Sequence, residues 1–153
     1  MYEVAAETNN VLVATCERNE DLSLNTQNII DAVNNCSFTI KVVFIDSPAN
    51  PLGTCYPKEE LVKLLKALPD TLIVLDEAYI EFAPTDADLT YLVNEYDNLV
   101  ITRTLSKAFA LAGLRCGFAI ANEAIIKAML KVIDPYPICD PVAQIAIQAL
   151  SDH

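Results

Sequence analysis

The sequence has a single histidine, His153, and it is the last residue. That scarcity excludes a Cys/His zinc site and a Ser-His-Asp triad, because both need an imidazole inside the fold. No CxxC pair occurs, and the five cysteines (Cys16, Cys36, Cys55, Cys116 and Cys139) are odd in number and scattered. This is the usage expected of a reducing cytoplasm rather than of a disulfide scaffold. Basic residues are also few: 10 Lys and Arg against 21 Asp and Glu give a formal net charge of -11. An acidic surface repels nucleic acid and anionic membranes, so neither is an expected partner. The opening MYEVAAETNN lacks the basic and apolar regions of a signal peptide. No window reaches the ~18 uninterrupted apolar residues of a membrane span. Repeats, low-complexity runs and a GxxxxGK(S/T) phosphate loop are missing as well. Glycine occurs only three times, few for a chain with many turns. The chain also opens within a helix-like pattern and stops just after another. The expectation is a central piece of a longer protein, with residues 1–153 forming one domain.

What is present is ample apolar material: 53% of the residues are hydrophobic and 20% are charged, which suits a packed core. Apolar runs alternate with amphipathic ones. VLVATCE (11–17), KVVFID (41–46), TLIVLDEAYIEF (71–82), NLVITRTL (98–105) and LRCGFAIA (114–121) read as strands. LNTQNIIDAVNN (24–35), PKEELVKLLKAL (57–68), DLTYLVNEY (88–96), NEAIIKAMLKVI (122–133) and PVAQIAIQALS (141–151) read as helices. Pro57 suits a first helical turn, Asn122 suits an N-cap, and Asp140-Pro141 suits an N-cap and N1 pair. SPANPLGT (47–54) breaks regular structure with two prolines and a glycine. The rhythm predicts an α/β domain with a mostly parallel sheet flanked by helices. In such sheets ligands gather beyond the carboxyl ends of the strands. Asn50, Asp76 with Tyr79, and Ser106 with Lys107 all fall at predicted strand ends or in the loops after them.

Each of these residues has a plain reading beside a chemical one. Lys107 is either a snorkelling surface lysine or an amine in a partly dry pocket, able to condense with an aldehyde. Arg115, with the hydroxyls of Ser106 and Thr104, makes a receptor for a dianionic phosphate. Asp76 is a turn cap, a Walker-B-like acid without its phosphate loop, or a carboxylate that keeps a ring nitrogen protonated. Tyr79 can add a phenol to the same ligand. Asn50 alone is an ordinary Asn-Pro turn residue. Glu77 and Glu81 are assigned to structure or solvent. Taken together, the set describes a ligand with a phosphate, an aldehyde, a ring nitrogen and a ring oxygen. Pyridoxal 5'-phosphate has all four.

At these residues the sequence resembles a known family. SPANPLG is similar to the S-P-N-N-P-T-G loop of fold-type I aminotransferases. VLDEAYIEF, TRTLSKAFALAGLRCGFAIAN and PYPICDPVAQIAIQAL resemble the histidinol-phosphate aminotransferase branch, and the likeness runs essentially from residue 1 to 153. The resemblance implies the central part of a large pyridoxal-phosphate-binding domain, with an N-terminal segment and a C-terminal small domain outside it. It implies that Lys107 anchors the cofactor and later moves the substrate Cα proton. Asp76 would hold the pyridine nitrogen protonated, and Asn50 and Tyr79 would bond the ring oxygen. Ser106, Arg115 and Thr104 would hold the phosphate. The implied reaction is amino transfer between histidinol phosphate and 2-oxoglutarate in histidine biosynthesis, by a cytoplasmic homodimer. A threonine-phosphate decarboxylase, an aromatic aminotransferase and a non-catalytic acidic α/β module are the alternatives. Ala49 and Leu52 depart from the family loop, which has Asn and Thr there.

Overall fold

The computed structural model describes residues 2–151, so His153 lies outside the described part. Among the described residues five α-helices are formed: α1 (Tyr2–Thr8), α2 (Thr26–Asn35), α3 (Lys58–Ala67), α4 (Glu123–Leu130) and α5 (Asp140–Ser151). Four strands, β1 (Val42–Asp46), β2 (Leu72–Asp76), β3 (Leu99–Thr104) and β4 (Gly117–Ala121), make one sheet in the order β1-β2-β3-β4. The first three strands run parallel and β4 is antiparallel to β3. The expected α/β class and mostly parallel sheet are therefore present.

Local chemistry explains the helices. The Asn25 side chain accepts from the Asn28 N–H and caps α2. Pro57 is the N-cap of α3, one position before the first turn expected for it. Glu59 and Glu60 follow in that turn, and Lys66 lies in the last, so the charges complement the helix dipole. Asn122 caps α4 as expected by accepting from the Ala124 N–H.

The register aligns Ile45, Leu75 and Ile101 across the three parallel strands. All three belong to the main core, together with Ile29 and Ile30 of α2 and Leu61, Leu64 and Leu65 of α3. One face of the sheet is therefore buried under α2 and α3. Burying each such side chain stabilises the fold by about 1.5–3 kcal/mol. Because side chains alternate along a strand, Phe44, Val74 and Val100 point to the other face, and so do Asp46, Asp76 and Thr102. Tyr2 of α1 stacks on Phe44 there, with ring centroids 4.7 Å apart. A second, smaller core joins Leu105 and Cys116 to Ala146 of α5, with Phe109, Leu111 and Val142 around it. It fixes the loop after β3 against the last helix.

Three expected elements differ. The strand expected over 71–82 stops at Asp76, where the polar pair Asp76-Glu77 ends the apolar run, and Ile80–Phe82 form a 3-10 turn. Residues 11–17 form no strand and are exposed. Their apolar run finds no neighbouring strand, and an isolated extended segment leaves its backbone groups to water. Residues 88–96 form a short 3-10 helix, Thr90–Asn94, rather than an α-helix. Leu89 and Leu92, three apart and both buried, fit the three-residue turn. Among the described residues, no helix is long and apolar enough to cross a membrane.

Replacing Leu64, which is fully buried, should show how far the fold rests on the α3 contact. Leu64→Ala is expected to lower unfolding free energy by about 2–5 kcal/mol in urea titrations. A loss below about 1 kcal/mol would mean that α3 is not packed as described.

Candidate active site

The parallel register ends β1 and β2 together, with Asp46 paired to Asp76, and continues to Thr102 of β3. The loops beyond these ends carry Asn50, Tyr79 and Lys107. The Asn50 side-chain amide donates to the Tyr79 hydroxyl at 2.8 Å. The Lys107 Nζ lies 5.3 Å from the centre of the Tyr79 ring, a cation–π distance. Residues far apart in the chain are thus brought to one place. Lys107 is exposed, which fits the plain reading of a surface lysine and not that of an amine in a partly dry pocket. It stands on an open rim, and two clefts lie elsewhere, one along Val33–Lys41 and one beside Cys55 and Pro84.

The turn after β3 is built from its own hydroxyls. Thr104 donates to Ser106 Oγ at 2.9 Å, the nearer of the two acceptors in its reach, the other being the Cys116 carbonyl at 3.3 Å. Its oxygen also accepts the Ser106 N–H at 3.1 Å. Across the hairpin, Gly117 pairs with Thr104. A Cβ at Gly117 would come within 2.9 Å of the Arg103 carbonyl, so only glycine permits this close approach. Arg115 sits just before Gly117 in the left-handed region, at φ 52. Its guanidinium is exposed and donates to the Ala112 carbonyl at 3.2 Å. Among the described residues it makes no ion pair, so it is close in sequence to the hydroxyl turn without being joined to it.

Asp76 accepts the Ala78 N–H through Oδ1 at 3.1 Å, and its Oδ2 is bonded by the Tyr2 hydroxyl. Burial, then the neighbouring Asp76, pushes the Tyr2 phenol well above its ordinary range. The loop with Ala49 and Leu52 closes despite those departures. The Gly53 N–H reaches the Ala49 carbonyl at 2.6 Å, with Gly53 at φ 72, and the Ala49 N–H reaches Thr54 at 2.9 Å.

Sequence reasoning passed over three features. Arg18 pairs with Asp46 at 3.0 Å, and Asp46 also accepts the Asn50 backbone N–H at 2.9 Å. Tyr2 was not expected to meet Asp76. Glu77, assigned to structure, is only 1% exposed and pairs with Arg103 at 2.6 Å, while Arg103 also holds Asp88 at 2.9 Å. The only signal for the Glu77–Arg103 pair was a charged residue next to each site strand's end, which many surface turns also show.

The chain belongs to the aminotransferase class I and II family, whose pattern matches residues 1–153. It is 51% identical over 152 residues to the histidinol-phosphate aminotransferase of Salmonella newport, covering 99% of this chain and 41% of the relative. It is 48% identical over 153 residues to that of Vibrio parahaemolyticus, covering 99% and 43%. The chain thus spans under half the length of these relatives. Its fold matches the crystal structure of histidinol-phosphate aminotransferase from Sinorhizobium meliloti in complex with pyridoxal-5'-phosphate. That match has a TM-score of 0.88 at 29% identity, over 99% of this chain and 41% of the other.

Burial raises the Glu77 carboxyl above its usual range, and the pull of Arg103 only partly offsets it. A carboxyl that binds its proton more tightly when folded stabilises the fold most at low pH, and that contribution is lost as pH rises through the folded-state value. Relative to Glu77→Gln, the parent chain should therefore lose stability as the pH climbs out of the ordinary carboxylate range. Urea midpoints measured across that window give the slope, and a slope of opposite sign would show that pairing with Arg103 outweighs burial.

Proposed function

We propose that this chain forms the cofactor-anchoring part of a pyridoxal-phosphate-dependent aminotransferase acting on histidinol phosphate, with 2-oxoglutarate and glutamate as the other pair. The carrying observation is the convergence of Asn50, Tyr79 and Lys107 beside the Asp76 strand end. The relatives' names support the choice of substrate. A cytoplasmic homodimer working on small molecules is part of the same proposal, as is the assignment of residues 1–153 to one piece of a larger cofactor-binding domain.

The donor set fits this cofactor by count. Asn50 donates one amide proton to Tyr79 and keeps the second, and the Tyr79 hydroxyl keeps its own. Two donors are therefore free for one ring oxygen. Thr104 donates to Ser106, which leaves the Ser106 proton for a phosphate oxygen. Arg115 has guanidinium protons beyond the one on Ala112, and it must swing from that carbonyl to grip a phosphate. The Asp76 carboxylate would hold a proton on the ring nitrogen. Its Oδ2 has a second lone pair beside Tyr2, so the phenol shares that oxygen or yields it. The cofactor supplies an electron sink for charge developing at the substrate α-carbon. Lys107 would be the covalent anchor, and once the substrate amine displaces it, the freed amine would move the α-carbon proton.

Adding pyridoxal phosphate, reducing with borohydride and weighing the peptides tests the anchor. The pyridoxyl mass is expected on the peptide bearing Lys107, and Lys107→Ala should abolish that selective label. Label spread evenly over the lysines, or undiminished in the variant, would contradict the assignment. Amino transfer from histidinol phosphate, set against release of CO2 from threonine phosphate, tests the substrate in the protein that carries this chain.

A further inference from the structure

Asp46 ends β1 directly opposite Asp76, yet the roles assigned so far leave it without one. Its two carboxylate oxygens go to different places. Oδ2 accepts the Asn50 backbone N–H at 2.9 Å, and Oδ1 accepts Arg18 Nη2 at 3.0 Å. Arg18 comes from the irregular segment between α1 and α2, where its Nη1 is held by the Leu22 carbonyl at 3.1 Å. Both charged side chains are largely shielded, with 25% and 34% of their surface exposed, so the pair is better insulated than a free surface ion pair. A carboxylate that only capped the strand would need one of these contacts. Here the second ties the cap to a residue 28 positions away.

The Asn50 N–H finds its acceptor in Asp46 alone. The other backbone bonds of the loop run from Ser47 to the Asp76 carbonyl, from Ala49 to Thr54 and from Gly53 to Ala49. The Asn50 side chain, in turn, carries the bond to Tyr79, whose ring faces the Lys107 amine. One chain of contacts therefore runs from Arg18 through Asp46 and Asn50 to Tyr79.

We propose that Asp46, braced by Arg18, is a positioning residue that sets where Asn50 presents its side-chain donor. The inference rests on the proposed role of Asn50 for its meaning in catalysis, but the positioning itself is measurable without cofactor. In the Asp46→Ala chain, hydrogen exchange of the Asn50 amide should speed up about tenfold. The amides of Leu75 and Ile101 in the sheet should keep their protection. Asp46→Asn retains one acceptor oxygen and should give a smaller acceleration, and Arg18→Ala should also fall between parent and Asp46→Ala. Pyridoxal phosphate, titrated by absorbance, should bind about five- to tenfold more weakly to Asp46→Ala. An unchanged Asn50 amide in Asp46→Ala overturns the proposal, and so does equal acceleration throughout the sheet, which would mean general loosening. If Asp46→Ala fails to fold, the amide comparison in Asp46→Asn and Arg18→Ala decides in the same way. A parent chain that takes up no pyridoxal phosphate would count against the cofactor assignment, while the amide comparison still decides the role of Asp46.

Discussion

The in-register pairing of β1, β2 and β3 is the constraint on which the rest depends. Three parallel strands can end together only if their hydrophobic faces are in phase. The row Ile45–Leu75–Ile101 under α2 and α3 enforces that phase. A slip of one residue would turn these side chains into solvent and drive Asp46, Asp76 and Thr102 into the core. The polar residues at the strand ends are thus held in place by burial on the opposite face, several ångströms from any chemistry.

Around that frame, charge and hydroxyl contacts set the loops. Glu77, Arg103 and Asp88 tie the end of β2 to the end of β3. A buried pair of this kind adds little net stability compared with apolar packing, but removing one partner is costly, so it fixes geometry more than it adds to the total. Beyond β3, Thr104 and Gly117 fold the Ser106-Lys107 turn against β4, and α5 packs behind it through Ala146. The result is an open rim of donors and acceptors with Lys107 exposed above it. Such a rim can offer contacts to one side of a flat ring. The chain itself spans 41–43% of the length of these relatives.

Much of this was legible in the sequence because its signals are local. The apolar stripe of α3, the Asn122 cap and the β-branched run of β1 each carry their own instruction. The placement of Asn50, Asp76, Ser106 and Lys107 after strands followed from the same rhythm. What stayed hidden depends on distant partners. The run at 11–17 looks like a strand because apolarity is local, whereas a ladder needs a neighbour. The direction of β4 rests on how twelve loop residues turn, and an apolar run does not encode direction. Asp46 looked like the polar end of a strand, and nothing in the spacing pointed to Arg18 as its partner. The exposure of Lys107 reflects which surfaces surround it, and neighbouring residues in the sequence do not report that.

The most direct test of convergence is to titrate uniformly 15N-labelled chain with pyridoxal phosphate and follow individual amides by NMR. Convergence at the strand ends predicts that Asn50, Ala78, Ser106 and Lys107 shift together and saturate at one common ligand concentration. Shifts confined to Lys107, or differing saturation at these four positions, would contradict the claim that the fold gathers them into a single site.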